Sequence, residues 1–107
     1  MQLTRFSTDQ EDVTVATAIA DSDEIDYGEF ARGQIHVPSG SSITTLTFHT
    51  SHKPGGDYEA AYDSSNAAVT MTVAADRSYP IPVDLIGARV FKMTGDAAGT
   101  VHLSLKG

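Results

Sequence analysis

The sequence predicts an all-β fold, a jelly-roll-like antiparallel β-sandwich of about 8–9 short strands. Two observations carry this. Apolar residues recur with a period of two almost everywhere, and turn-forming residues interrupt them at short, regular intervals. A third fact agrees with them: no stretch longer than a turn has the 3.6-residue apolar period of a helix. At 107 residues the chain is one domain's worth, long enough to bury a core without covalent staples.

Taken in order, Val13 and Val15 open the alternation over residues 12–17. A short acidic strand follows at 23–27. Ile35 and Val37 alternate within 31–37, and Leu46 and Phe48 within 43–50. Tyr58, Ala60 and Tyr62 share a face of 57–62, which reads as core. Val69, Met71 and Val73 alternate within 67–73. Strands are further expected at 78–83, 88–94 and 100–106, where Val101, Leu103 and Leu105 form the inward set. Pro80 and Pro82 flank Ile81 and confine their strand to an edge or to a short length. A helical turn is expected at residues 83–87, with Gly87 ending it. The predicted core is Val15, Ile35, Val37, Leu46, Phe48, Val69, Met71, Val73, Phe91, Leu103 and Leu105. Residues 1–12 are polar apart from Leu3 and Phe6. They read as an N-terminal arm that contacts another subunit, ahead of a single sandwich domain at 13–107.

Composition excludes several chemistries. There is no cysteine, so there is no disulfide, zinc-thiolate centre, iron–sulfur cluster or cysteine nucleophile. The 14 Asp and Glu outnumber 7 Lys and Arg, giving a net charge of −7. That balance argues against direct contact with nucleic acid or an anionic membrane, both of which require a basic footprint. Eight acids and no base lie between Asp9 and Glu29. The opening MQLTRFSTDQED has no apolar run behind its arginine, so no secretory signal is expected, and no segment is long enough to span a bilayer.

No motif carries an enzymatic signature. Asp21, Asp23, Glu24 and Asp26 offer hard oxygen ligands, but not in the order of a calcium loop. His49 and His52 have His-x-x-His spacing, yet residues three apart on a strand point to opposite faces. His36 and His102 fall at outward positions, and the four histidines read as surface residues. The glycine-rich run at 53–56 precedes no helix and reads as a hairpin loop, not a phosphate loop. No Gly-x-Ser-x-Gly elbow is present. The sequence therefore assigns no catalytic, cofactor-binding or metal-binding residue, and an enzyme is not expected.

The order of elements adds one resemblance. An acidic strand at 23–27 is followed by a strand ending in Pro38 and another ending in Phe48. A serine-containing loop, a Tyr-Asp strand at 57–63 and an Ala88-Arg89-Val90-Phe91 strand ending in Gly95 complete the pattern. Over about residues 13–105 it resembles the small β-sandwich structural proteins, decoration- or cement-like, of tailed bacteriophage virions. The loop after Phe48 is longer here than in that pattern. The resemblance implies a non-enzymatic capsid decoration or cement protein that binds and stabilises the major capsid protein shell. It implies a homo-oligomer, such as a trimer, on the capsid exterior, made in the host bacterial cytoplasm. The alternative is a carbohydrate- or receptor-binding module of a phage head fibre or tail. The absence of Trp weighs against that alternative.

Overall fold

The computed structural model describes residues 8–27, 32–85 and 88–106. Nine strands are found among them: β1 (Thr8–Val15), β2 (Ile25–Asp26), β3 (Arg32–Val37), β4 (Thr45–Ser51), β5 (Glu59–Ala60), β6 (Thr70–Thr72), β7 (Arg77–Pro80), β8 (Val90–Gly95) and β9 (Gly99–Lys106). One-turn 3-10 helices lie at Ile19–Asp21 and Val83–Leu85. The second is the expected helical turn; Gly87 lies outside the described residues.

The strands form two antiparallel sheets, of order β1-β9-β3-β7 and β2-β8-β4-β5, with β6 also on β4. The pairing is concentric. β1 pairs with β9, β2 with β8, β3 with β7, and β4 with β5 and β6. The chain is thus a long antiparallel ribbon whose successive pairs fall alternately in one sheet and the other, which is the jelly-roll arrangement.

Alternation places the core between the sheets. Val13, Val15, Ile35, Val37, Val101, Leu103 and Leu105 face inward from the four-stranded sheet and are buried. Ile25, Leu46, Phe48, Phe91 and Met93 do so from the other. Tyr27 meets Phe91 edge-on at 5.3 Å between centroids, and Phe48 lies 6.2 Å from Phe91, so aromatic rings fill the middle of the layer. Every predicted core residue is buried except Met71, which is half-buried on β6.

β7 lies at a sheet edge, where its prolines place it. Ile81 donates its N–H to the Gly33 carbonyl at 2.9 Å, so alternate residues address β3, and the N–H that Pro80 lacks would have faced outward. Four expectations need correction. Residues 8–12 are not arm: β1 starts at Thr8 and stays in register with β9, from Thr8 opposite Lys106 to Val15 opposite Gly99. Residues 1–7 lie outside the described residues. The strand expected at 57–62 is reduced to Glu59–Ala60 and a single bridge from Tyr62 to Ala68, because β5 and β6 share the length of β4 between them. Tyr58 and Tyr62 are not core, Tyr58 being half-buried and Tyr62 57% exposed. His49, expected at the surface, is buried at 8% exposure.

Candidate functional site

Asp23, Glu24 and Asp26 of the acidic segment are engaged within the fold. Asp23 accepts the Thr14 N–H at 2.8 Å and returns its own N–H to the Thr14 carbonyl at 3.0 Å, closing the edge of β1. Glu24 accepts the Tyr58 hydroxyl at 2.5 Å and the Gly55 N–H at 2.8 Å. These bonds, the tyrosine's first, hold the Glu24 carboxyl below its ordinary range. Burial, then the same bond, raises the Tyr58 hydroxyl. Lys92 sits over the Tyr58 ring, 5.0 Å from its centroid, and donates to the Ile19 carbonyl at 3.2 Å. The glycine-rich loop at 53–56 is therefore tied down by Glu24, and Asp26 pairs with Arg89 at 3.5 Å. Among the described residues, no three His, Asp or Glu side chains are grouped to hold a metal ion.

The outer face of the four-stranded sheet carries a polar row that the register assembles. Asp12, His102, His36 and Ser78 lie side by side on β1, β9, β3 and β7. Thr14 turns its backbone groups away from β9 toward Asp23, so Asp12 and His102 form a non-hydrogen-bonded pair with close side chains. The Asp12 carboxylate duly meets His102 Nδ1 at 2.6 Å. By the same parity His36 and Ser78 are a close pair, at 2.5 Å, while His36 Nε2 reaches Ser104 at 3.2 Å. The His36 ring thus bridges three strands. A serine beside an imidazole is the start of a nucleophile site. Here, however, β3 and β9 are interior strands whose N–H groups are engaged in ladders. The row of side chains presents hydrogen-bonding groups on the outward face of the sheet. Alternation marked His36 and His102 as outward; only the register joins them to Asp12 and Ser78.

His52 is exposed beyond the end of β4, whereas His49 is buried within it. His49 Nε2 lies 3.0 Å from the Thr94 hydroxyl, and its Nδ1 is buried without a partner among the described residues. Burial lowers its pKa.

A groove of about 810 Å³ opens at the end of the four-stranded sheet where β9 finishes and β3 begins. Its lining includes the exposed Pro80, Val83, Arg32 and Lys106, with Ile81 and Leu105 buried behind it. Gly33 permits the close approach: a Cβ there would lie 2.6 Å from the Ser104 carbonyl oxygen and 2.8 Å from Ile81. No sequence motif marks this groove; Gly33 and the exposed Val83 are its traces in the chain.

A scan against protein-family models finds no match, and a search of curated proteins finds none either. Among solved structures, the crystal structure of the SPBc2 prophage-derived protein YomS has a similar fold, with a TM-score of 0.55. The alignment covers 100% of this chain and 99% of that one. At 14% identity the likeness establishes the shared all-β sandwich and nothing finer.

Proposed function

We propose that the chain is a non-enzymatic structural protein of a tailed-phage virion, a decoration or cement subunit that binds the major capsid protein. The observation that carries this reading is the end-to-end likeness to a prophage-derived protein of nearly the same extent. The surfaces described above support it: a flat polar sheet face and an apolar groove suit contact with another protein. Bound across neighbouring capsid subunits and not to free ones, such a protein stabilises the shell by mass action. A second reading, a receptor- or carbohydrate-binding module of a head fibre or tail, draws on Tyr62. That ring is 57% exposed beside the turn at residues 63–66, where a sugar could stack on it.

The test is gold-labelled antibody against the chain on purified particles of the phage that encodes it. Label distributed over the head supports the decoration reading. Label confined to a fibre or the tail moves the assignment to the second reading. Particles that lack the chain altogether, by mass spectrometry as well as by label, overturn both.

A further inference from the structure

The two ends of the four-stranded sheet are complementary. At one end Arg32 and Lys106 lie directly opposite each other on β3 and β9. Like charges in that position repel and destabilise the pair. Both side chains are exposed, and neither is in an ion pair among the described residues. Beside them the groove presents Val83, 75% exposed and so the most exposed large apolar side chain described, with the exposed Pro80 along its wall.

At the other end of β1, about 23 Å away along a strand of this length, the chain makes the Ile19–Asp21 turn. Ala18, Ala20 and Asp21 are exposed on it, and Ile19 is half-buried. This knob exposes two alanines and one carboxylate. It is also rigid. Asp21 and Ser22 donate back to the Ala18 and Ile19 carbonyls at 3.2 Å each. The buried Ser22 hydroxyl accepts from Ala16 N–H and donates to Ala18, both at 3.1 Å. Ordering costs on binding are small for such a preformed element.

We propose that the groove receives the Ile19–Asp21 knob of a second copy, with Asp21 between Arg32 and Lys106, so that molecules associate head to tail. The match is in kind on both sides: small apolar side chains against Val83 and Pro80, one carboxylate against two cations. It relieves a repulsion that each copy otherwise retains. Because knob and groove are different surfaces at opposite ends, the contact is heterologous and closes only as a ring. The inference concerns the purified chain and does not rest on the virion reading.

Sedimentation velocity over a concentration series tests it, with the full chain at low and high salt. Concentration-dependent association that weakens as salt rises is expected. Arg32→Glu with Lys106→Glu spoils the groove and leaves the knob; Asp21→Lys spoils the knob and leaves the groove. Each variant alone should associate at least about tenfold more weakly than the parent. Mixed together, the two are complementary at both contacts, Asp21 of the first against Arg32 and Lys106 of the second and the introduced lysine of the second against the introduced glutamates of the first, so association recovers in the mixture. All the substituted side chains are exposed, and melting curves confirm that the variants are folded. A parent that stays monomeric at every concentration overturns the proposal. So does association that survives both sets of substitutions, or a mixture no different from its components.

Discussion

At the scale of single residues, two titrating groups carry predictions of opposite visibility. Asp96 is an exposed acid, yet it organises the start of β4. It accepts the Thr44 hydroxyl and the N–H groups of Thr44 and Thr45, at 2.9 and 3.2 Å respectively. These bonds, the hydroxyl's first, bring its pKa down to about 2. A folded pKa below the unfolded one means the stabilisation is complete above the ordinary carboxylate pKa of 3.8 and is lost as pH falls toward 2. Asp96→Ala should therefore lower the melting temperature at neutral pH, and the difference from the parent should shrink steadily as pH falls from 4 toward 2. His49 is the buried counterpart. Burial depresses its pKa below 6.5, so the unfolded chain takes up its proton first. Its contribution to stability is complete above pH 6.5 and falls away as pH drops through the folded value. Thermal melts between pH 7.5 and 5.5 should show the parent losing stability more steeply than His49→Gln, which has no proton to gain. Parallel curves for the two proteins would refute this.

At the scale of elements, β9 is the longest of the strands paired on both sides, lying between β1 and β3. Leu103 at its centre is 1% exposed and stands opposite Ile35. Leu103→Ala should cost about 2–5 kcal/mol, the range for a buried leucine leaving a cavity, measured by urea denaturation. Deleting residues 1–12 removes five of the eight β1 positions paired with β9, and with them the Asp12 contact to His102. That truncation should lower the melting temperature clearly; an unchanged melt would mean this half of β1 adds nothing to the sheet. The elements also show what the sequence made legible. Alternation identified the inward side of every long strand, because a one-residue slip would expose its whole apolar set. It failed at residues 57–62, where Tyr58 and Tyr62 alternate as core would. There the Tyr58 hydroxyl is drawn to Glu24, 34 residues away in sequence, and no local pattern encodes that attraction. It failed again at His49, whose outward parity did not foretell burial. The start of β1 was missed because Thr8 to Asp12 are polar: that stretch is held by its ladder to β9, and a ladder leaves no mark in side-chain composition.

At the scale of the whole molecule, the concentric pairing decides how the chain must fold. Thr8 lies opposite Lys106, so the four-stranded sheet is completed only when the two ends of the described chain meet. Period-two alternation says which residues face inward but not which strand lies beside which, and for that reason the sheet order and the polar row across it could not be read from sequence. The innermost pairs, β4 with β5 and β6, join segments close in sequence, whereas each pair further out encloses all those within it. Loop closure therefore opposes β1–β9 pairing unless the inner hairpin and the β3–β7 pair have already shortened the loop. Topologies dominated by such distant pairings fold in milliseconds to seconds rather than microseconds. Stopped-flow refolding from urea should fall in that slower range. Because β1 joins last in this order, Val13→Ala on β1 should chiefly accelerate unfolding, while Phe48→Leu on β4 should slow folding as well. Val13 and Phe48 are 1% and 0% exposed, so both substitutions perturb stability enough to be read. The reverse partition, with Val13 controlling the folding rate, would show that the chain ends meet first and that the ribbon does not close from its centre outward.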